Sequence, residues 1–285
     1  MVGSAATLRA GVADGLVRAP GCADPLGALL IEQAGFPAAY LSGFALSATL
    51  LGVPDLGLIS LDDIAGAVRR ITAAVTIPLI ADIDTGFGGP LNVRRAVVEV
   101  EAAGAAAVQI EDQLSPKRCG HFEDKATVDI DEAVARVRVA ADARRSSDTV
   151  VIARTDAVAV EGIEAAIERA RRFHAVGADV LFVEALETVE QLERVAEALD
   201  GAPLLYNAVE GGRSPIVATD VLAAHGVRIL IHPVTLLLET IRAQQAALVA
   251  LRDGRPATDR SIALAREVIG ADEALAFHAR TASQA

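Results

Sequence analysis

The chain of 285 residues contains very little lysine, cysteine or aromatic side chain. It has two cysteines, no tryptophan and an aromatic content of 3%, and Lys117 and Lys125 are its only lysines. Two cysteines do not make a disulfide framework, so a reducing compartment, the cytoplasm, is the simpler context. A Schiff-base enzyme needs a desolvated lysine at a strand end. Neither lysine follows a predicted strand, which disfavours imine catalysis.

Positive charge and long apolar runs are also scarce. The formal net charge is −12, so the chain repels polyphosphate backbones, and with few aromatic stacking platforms it is not expected to bind nucleic acid. No apolar stretch of about 18 residues and no basic-then-apolar N-terminal segment occurs, so neither a membrane span nor secretion is expected. The acidic charge also argues against a membrane-surface role. An anionic substrate would need a metal or local arginines to offset this negative field.

Short apolar runs alternate with segments of helical periodicity along the chain. The runs predict buried parallel strands at 16–20, 38–42, 77–82, 105–111, 149–154, 179–184, 202–207 and 226–231. Helices are predicted at 62–74, 91–103, 131–145, 161–176, 188–200, 215–225, 235–252 and 258–281. Eight strands separated by helices predict an α/β fold, a closed (β/α)8 TIM barrel, with extra C-terminal helices. The alternative, an open doubly wound sheet, lacks a Gly-x-Gly-x-x-Gly turn after the first strand.

No linker divides the chain, so residues 1–285 are interpreted as a single barrel domain. The segment from about 235 to 285 contains more helix than a barrel needs and is expected to pack on another subunit. In such barrels the catalytic side chains lie at the C-terminal ends of the strands. Polar residues end the predicted strands at Ser42, Asp82, Asp84, Glu111, Arg154, Glu184, Asn207 and His232.

Two aspartates, Asp82 and Asp84, follow the third predicted strand. Residues two apart in an extended chain share a face, and two adjacent carboxylates repel unless a cation lies between them. Mg²⁺ suits such oxygen ligands, and Glu111 and Asp55 provide two further carboxylates. No His-x-x-x-His or Cys/His set indicates zinc. The alternative interpretation is an N-cap and turn before the helix at 91–103.

Cys119 lies in the segment Lys117-Arg118-Cys119-Gly120-His121. Nearby cations lower the pKa of a thiol and prepare it for proton transfer, although a nucleophile or a buried apolar cysteine are the alternatives. The other cysteine, Cys22, is assigned to packing. A metal that gathers oxygens and a thiol that moves a proton suggest carbanion chemistry on an oxygen-rich acid.

Four further strand-end residues leave two interpretations open. Arg154 is either paired with a structural acid or directed at a substrate carboxylate. Glu184 and Asn207 fit roles near a metal or a substrate carboxylate, or structural hydrogen bonding. His232 either lines the pocket or is a satisfied core histidine.

Several motifs together resemble the isocitrate lyase/phosphoenolpyruvate mutase superfamily, in particular its methylisocitrate lyase and 2,3-dimethylmalate (2-alkylmalate) lyase branches. The resemblance covers roughly residues 8–240. The Lys-Arg-Cys-Gly-His segment is typical of the C–C lyase branches, whereas the 209–215 segment is closer to 2-alkylmalate lyases and oxaloacetate decarboxylases. The other motifs are Tyr40-Leu41-Ser42-Gly43, Gly52-Val53-Pro54-Asp55, Ala81–Gly88, Ile110–Gln113, Ala153–Ala157 and Asn207–Gly212.

This resemblance implies a barrel whose last helix is swapped between subunits, in a homotetramer built as a dimer of helix-swapped dimers. It implies Mg²⁺, with Mn²⁺ able to substitute, bound directly by Asp82 and through water by Asp55, Asp84 and Glu111. The implied catalytic residues are Cys119, Tyr40, Glu111, His121 and Arg154. The implied substrate-binding residues are Ser42, Gly43, Gly120, Arg154, Glu184 and Asn207.

The function expected from this resemblance is an Mg²⁺-dependent C–C lyase acting on a small 2-hydroxy or 2-oxo carboxylic acid. A 2-hydroxy di- or tricarboxylic acid of the 2-methylisocitrate or 2-alkylmalate type would yield pyruvate or a close 2-oxo acid plus a carboxylic acid. The hypothesis involves a metal-stabilised alkoxide and a carbanion that Cys119 protonates. The alternatives are an oxaloacetate decarboxylase, a phosphonopyruvate-type or mutase-like enzyme at the same site, and a catalytically silent barrel scaffold.

Overall fold

The structure is a computed structural model and describes residues 4–118, 125–258 and 261–282. Cys119, Gly120 and His121 lie outside the described residues. Eight parallel strands form a closed barrel in sequential order, and the last strand pairs with the first. The predicted barrel is therefore confirmed. The strands are β1 Val17–Cys22, β2 Ala39–Leu41, β3 Leu79–Asp82, β4 Ala107–Glu111, β5 Val150–Thr155, β6 Val180–Val183, β7 Leu204–Asn207 and β8 Val227–His232.

Helices follow the strands and cover the outside of the barrel. They are α1 Ser4–Asp14, α2 Pro25–Gln33, α3 Gly43–Leu46, α4 Leu61–Thr72, α5 Pro90–Ala102, α6 Ile130–Ala143, α7 Val158–Glu161, α8 Ile163–Ala175, α9 Val189–Ala198, α10 Thr219–Ala224, α11 Thr235–Arg252, α12 Ile262–Val268 and α13 Ala271–Ala282. A π-helical turn, Ser47–Leu51, follows α3. Within the described ranges, no helix is both long and apolar enough to cross a membrane.

The predicted helices differ from the observed ones at glycines in the left-handed region of backbone conformation. The predicted helix at 161–176 corresponds to α8, which begins after Gly162 (φ +93°), whereas the short helix α7 before this glycine was not predicted. The predicted helix at 258–281 is divided into α12 and α13 near Gly270, which has φ +66°. L-residues with side chains rarely adopt these angles, so each glycine ends one helix and permits a change of direction.

Alternation along the strands produces two separate cores. Residues such as Leu79 and Ala81 of β3 face the helices and belong to the larger cluster. Their neighbour Ile80 faces inward and belongs to a second cluster that fills the barrel interior. Because side chains alternate strictly along a strand, the inward-facing series predicts which polar residues enter the interior at the strand ends.

The N-terminal end of the barrel is closed by α1, which the sequence pattern did not predict. Leu8 and Val12 of this helix pack into the interior cluster. Arg9 extends from the same helix to Asp179, just before β6, at 3.0 Å. With that end closed, a ligand can enter the barrel only from its C-terminal end.

Candidate active site

Six polar residues continue the inward-facing series at the C-terminal ends of β2 to β7, and all six are buried. They are Ser42, Asp82, Glu111, Arg154, Glu184 and Asn207. All except Glu111 line one cavity, together with Tyr40, Gly43, Asp55 and Lys117. Glu111 lies beside this cavity because it pairs in register with Arg154 on the neighbouring strand. The predicted clustering of strand-end residues is therefore observed.

Asp82 is held in place by two donors. Its Oδ1 accepts the backbone N–H of Asp84 at 3.0 Å, and its Oδ2 lies 3.2 Å from the hydroxyl of Tyr40. The same hydroxyl lies 3.2 Å from Oε1 of Gln109. Burial, followed by the charge of Asp82, raises the pKa of Tyr40 well above its usual range. Tyr40 is therefore a neutral hydrogen-bond donor near neutral pH rather than a base.

Asp84 adopts a backbone conformation that is uncommon for a residue with a side chain. Its φ is +49°, and aspartate is among the few residues that tolerate this region. Its backbone carbonyl accepts the N–H of Glu111 at 2.9 Å, which fixes the turn against the next strand. This conformation brings the Asp84 carboxylate to the same rim as Asp82. Backbone strain of this kind is commonly found at functional sites.

Lys117 is inserted among these carboxylates. Its Nζ lies 2.6 Å from Oδ1 of Asp55 and 2.8 Å from Oδ1 of Asp84, and all three side chains are buried. The contact with Asp84 is an ion pair without directed hydrogen-bond geometry. Burial alone would lower the pKa of Lys117, but the carboxylates outweigh it and keep the ammonium charged. The lysine is thus desolvated, yet it remains too strongly paired for imine chemistry.

Burial raises the pKa of two carboxyl groups in this cluster. Desolvation raises the pKa of Asp84 to about 7, with Lys117 opposing the shift and Asp82 and Asp55 adding to it. Desolvation likewise raises the pKa of Glu111 well above its usual range, against the opposing charge of Arg154. One ammonium therefore does not balance the charge of this group of acids.

The donor set fits a hard divalent cation. Glu111 Oε1 is buried without a hydrogen-bond partner, whereas Asp84 Oδ1 is paired with the Lys117 ammonium at 2.8 Å. A buried oxygen without a donor is costly. A Cβ on Gly43 would lie 3.4 Å from Asp84 Oδ1 and 3.5 Å from Asp82 Oδ2, so only glycine leaves this space open. Among the described residues, no three histidine, cysteine or acidic side chains are grouped so that together they could hold a metal ion. Mg²⁺ commonly takes one or two carboxylates directly and completes its shell with water.

Arg154 is the cationic centre on the other side of the cavity. Its Nε and Nη2 donate to the two oxygens of Asp156 at 2.9 and 3.0 Å. Glu111 lies 3.3 Å from Nε, and Glu184 lies 3.6 Å from Nη2. The guanidinium carbon is 5.2 Å from the centroid of the Phe182 ring. Arg154 is thus paired with structural acids and also lines the cavity, while its role toward a substrate carboxylate stays a prediction.

Glu184 and Asn207 form a pair beside Arg154. Glu184 Oε2 accepts from Asn207 Nδ2 at 3.1 Å, and Glu184 Oε1 accepts from the backbone N–H of Ala185 at 2.8 Å. Asn207 Oδ1 is buried and has no partner. An amide oxygen left unsatisfied at a cavity is a site where a ligand or water donor can bind.

Both ends of the 119–124 segment are fastened to the rim. Before the segment, Gln113 donates from Nε2 to the Arg118 carbonyl and accepts the Arg118 N–H, each at 2.9 Å. After it, the buried Nζ of Lys125 lies 2.8 Å from Oδ1 of Asp156. The attachment points of the chain around Cys119, Gly120 and His121 are therefore defined.

Some functional candidates differ from those expected from the sequence. His232 is half-buried and does not line the described cavity, because its neighbour Ile231 faces inward. Asp156, Lys117 and Lys125 were not proposed as site residues. The one available signal for the lysines was their scarcity: the only two in the chain flank the Cys119 segment.

Comparisons with known proteins agree with this geometry. Residues 11–252 match the family model described as phosphoenolpyruvate phosphomutase. The chain is 45% identical over 233 residues to 2-methylisocitrate lyase of Aeropyrum pernix, covering 82% of this chain and 74% of that protein. It is 39% identical over 238 residues to 2,3-dimethylmalate lyase of Eubacterium barkeri, covering 84% and 82%.

Solved structures share the whole fold. A complex of oxaloacetate acetylhydrolase with 3,3-difluorooxalacetate has a TM-score of 0.94 and 37% identity, covering 98% of this chain and 97% of that one. A 2,3-dimethylmalate lyase, described as a PEP mutase/isocitrate lyase superfamily member, has a TM-score of 0.92 and 37% identity, covering 99% and 96%. A phosphonopyruvate hydrolase complex with oxalate and Mg²⁺ has a TM-score of 0.86 and 32% identity, covering 98% and 99%. By its sequence, fold and rim of acidic side chains, this chain belongs to the PEP mutase/isocitrate lyase superfamily.

Proposed function

We propose that the protein is a C–C lyase that cleaves a 2-hydroxy di- or tricarboxylic acid. The products are pyruvate or a close 2-oxo acid and a second carboxylic acid. The observation that supports this best is the arrangement of the rim, where the buried Glu111 carboxylate, with one unpartnered oxygen, lies beside the Arg154 guanidinium. The carboxylates suit a hard cation, and the Arg154 guanidinium suits a substrate carboxylate. Similarity to lyases of 2-methylisocitrate and 2,3-dimethylmalate supports the same substrate class.

The cation proposed for this site is Mg²⁺, with Mn²⁺ able to substitute. Asp82 would be its direct ligand, with Asp55, Asp84 and Glu111 acting through water. When bound, the ion supplies a Lewis acid for the 2-hydroxyl and its neighbouring carboxylate. The phosphonopyruvate hydrolase of the same fold contains Mg²⁺ with oxalate, which supports this choice. Lys117 would have to leave Asp55 or Asp84 as the ion enters.

The proposed reaction needs a group to accept the hydroxyl proton and a group to return one. Tyr40 is buried and donates to Asp82 or Gln109, so we assign it the orientation of Asp82 rather than the role of base. Glu111 has a buried, unpartnered oxygen within the cluster and is the better candidate for a proton acceptor or relay. Ser42 and Gly43 would contact the 2-oxo acid half, and Arg154, with Glu184 and Asn207 nearby, would bind a carboxylate.

Cys119 is proposed to complete the reaction. The hydroxyl proton passes to the base, the C2–C3 electron pair moves to C3, and C2 becomes a ketone. Carbon C3 carries the negative charge, which its carboxylate stabilises. The Cys119 thiol donates a proton to C3, while Gly120 and His121 would shape the segment around it. This role is based on the sequence, since these three residues lie outside the described part of the chain.

The two cysteines of the chain allow a matched test of this role. Cys119→Ser should lower turnover by about 10²–10⁴-fold, the usual contribution of a proton-transfer group. Cys22 is buried in the core, and burial raises its pKa to about 12, so Cys22→Ala should leave turnover nearly unchanged. The measurement is 2-oxo acid release from a panel of C3-substituted malates and 2-methylisocitrate, with Mg²⁺ and with EDTA. Full turnover in Cys119→Ser would exclude the thiol as the proton donor.

A second candidate reaction is C–C cleavage of oxaloacetate at the same site. It is favoured by the structural similarity to oxaloacetate acetylhydrolase and by the 209–215 segment of the chain. Adding oxaloacetate to the same panel and measuring pyruvate, CO₂, oxalate and acetate separates lyase activity, decarboxylation and hydrolysis. A phosphonopyruvate-type or mutase-like reaction would release or rearrange phosphorus, which ³¹P NMR detects.

We also propose a cytoplasmic homotetramer in which α11 is swapped between subunits. Large apolar side chains on the C-terminal helices are exposed in the single chain, which favours a protein partner for this surface. They include Leu248, Leu251, Ile262, Leu275 and Phe277. Sedimentation equilibrium should give four times the chain mass, and truncation after Val234, which removes α11, should lower the number of chains in the assembly. A monodisperse monomer of the full chain would contradict the proposed assembly.

A further inference from the structure

Asp156 is one buried carboxylate shared by two cations. Its Oδ2 accepts from Arg154 Nε at 2.9 Å, and its Oδ1 accepts from Arg154 Nη2 at 3.0 Å. The same Oδ1 accepts from Lys125 Nζ at 2.8 Å. The side chains are 0% exposed for Asp156 and 2% for Lys125, so this sharing takes place away from water. Such charges interact strongly, and removing one partner changes the field at the others.

The charge around Arg154 explains why a second cation matters. Three acids, Asp156, Glu111 and Glu184, lie within 3.6 Å of the guanidinium. A substrate carboxylate would be a fourth anion at the same group. Lys125 neutralises Asp156, so part of the positive charge of Arg154 remains available to a ligand. Among the described residues, no hydrogen bond uses Arg154 Nη1, which leaves that nitrogen for a ligand.

The chain that follows Lys125 is hydrogen-bonded to the end of β4, next to the residues that hold Arg154. Lys125 is the first described residue after 119–124, and the chain then returns to the end of β4. Leu114 N–H donates to the Ala126 carbonyl at 2.8 Å, and Val128 N–H donates to the Asp112 carbonyl at 2.9 Å. The side chain of Asp112 in turn accepts from the Thr155 hydroxyl at 2.6 Å and from the Asp156 N–H at 3.0 Å. The exit of the Cys119 segment and the anchor of Arg154 thus form one hydrogen-bonded unit.

We propose that Lys125 is a positioning residue that acts through Asp156. It neutralises the carboxylate that orients Arg154, so that the guanidinium binds a substrate carboxylate. The inference rests on the proposed carboxylate-binding role of Arg154. It assigns to the lysine a function that neither the metal site nor the proton transfer provides.

The test uses the Mg²⁺-loaded protein and oxalate as the anionic probe, with binding measured by calorimetry. Lys125→Met should raise the dissociation constant of oxalate about 30-fold. This factor corresponds to the lower end of the free-energy cost of removing one partner of a buried charge pair. Lys125→Arg keeps the charge and should bind oxalate nearly as well as the natural protein. The affinity for Mg²⁺ without oxalate should be unchanged in both variants.

A double variant separates positioning from simple support of the fold. Once Asp156→Asn removes the carboxylate charge, Lys125 can no longer act on Arg154 through Asp156. Oxalate should therefore bind equally to Asp156→Asn and to Lys125→Met/Asp156→Asn. A further loss in the double variant, or natural affinity in Lys125→Met, would overturn the proposal. If Lys125→Met alone does not fold, comparing oxalate binding in Asp156→Asn and in the double variant still tests the proposal.

The opposite end of the barrel offers a matched control. Asp179 is also shared by two cations, with Arg9 at 3.0 Å and Arg144 at 2.6 Å. Arg144→Met removes a comparable pair far from the cavity and should lower stability without changing oxalate affinity. Oxalate binding also distinguishes the two hypotheses. A chain that binds oxalate with the expected Lys125 dependence but cleaves none of the panel would retract the proposed reaction and retain this inference.

Discussion

At the N-terminal end of the barrel, Asp179 accepts hydrogen bonds from Arg9, Arg144 and the backbone of Val151, so both of its oxygens are satisfied. At the C-terminal end, Glu111 keeps a buried oxygen without a hydrogen-bond partner, and Asp84 shares one ammonium, that of Lys117, with Asp55. Both ends bury carboxylates beside cations. They differ in whether the local charges and donors are balanced.

The satisfied carboxylate at the N-terminal end stabilises the fold, whereas the incompletely satisfied acids at the C-terminal end are suited to binding a ligand. A satisfied buried carboxylate contributes to the native state, whereas an unsatisfied one is tolerated only where something else compensates for it. At the C-terminal end, we propose that a bound cation and a ligand donor provide this compensation. Stability and function are therefore assigned to opposite ends, as is common in barrels of this kind. Carboxylate-to-amide substitutions at the two ends should have opposite consequences.

The largest effect is expected from Asp82→Asn. The affinity for Mg²⁺ and the turnover should each fall at least about 100-fold, because a direct oxygen ligand loses its charge. The free energy of unfolding without metal should not fall, since one member of a group of like charges is neutralised. Calorimetric Mg²⁺ titration and urea unfolding give the two quantities. If Asp82→Asn binds Mg²⁺ as tightly as the natural protein does, Asp82 is not a ligand of the ion.

The matched substitution at the other end is Asp179→Asn. It leaves Arg9 and Arg144 without a charged partner, so the free energy of unfolding should fall by about 2 kcal/mol. This lies below the usual loss for a fully buried pair, since the side chain is 19% exposed. Urea unfolding measures the loss, and Mg²⁺ affinity should be unchanged. Equal stability of Asp179→Asn and the natural protein would remove the contrast between the two ends.

A smaller effect is expected from Lys117→Met. The ammonium of Lys117 now lies between Asp55 and Asp84, where it competes with an incoming cation. Without it, the dissociation constant of Mg²⁺ should fall about fivefold to tenfold, a typical coupling between two ligands of one site. The Mg²⁺-induced rise in melting temperature should increase accordingly. Weaker Mg²⁺ binding would instead show that the lysine supports the metal-bound state.

The smallest effect is expected from His232, which lies on the outer side of the barrel near its C-terminal end. Burial lowers the pKa of His232 in the folded protein. The unfolded chain therefore binds the extra proton as the pH falls through about 6.5, and stability decreases below that pH. His232→Asn should flatten the change in melting temperature between pH 7.5 and 5.5 by less than about 2 °C. A steeper dependence of melting temperature on pH in the variant would show that folding raises, rather than lowers, the pKa of His232.

The strand-end residues could be predicted from the sequence because the rule behind them is local. A parallel barrel places the ends of its strands at one rim, so Asp82, Glu111 and Arg154 were identifiable from short apolar runs alone. His232 was misplaced for a related reason. It follows the inward-facing Ile231 directly, and successive side chains of a strand point to opposite faces, so His232 faces outward.

The buried lysines could not be predicted in the same way. A lysine beside an arginine, a glycine and a histidine resembles an exposed loop in every local property. Its burial depends on acids that are distant in sequence, such as Asp55, which is 62 residues from Lys117. The helix α1 was missed because only Leu8 and Val12 mark its packed face. Contacts of this kind arise from tertiary structure and leave no periodic pattern.

The two lysines also make the protein its own reporter. Every side-chain amine in the chain lies at one end or the other of the 119–124 segment, and both are enclosed by acids. Acylating or cross-linking reagents that modify the surface of most proteins can react here only at the N-terminus or at these two positions. The extent of amine labelling, followed by mass spectrometry, would therefore measure the opening of the rim without any engineered label.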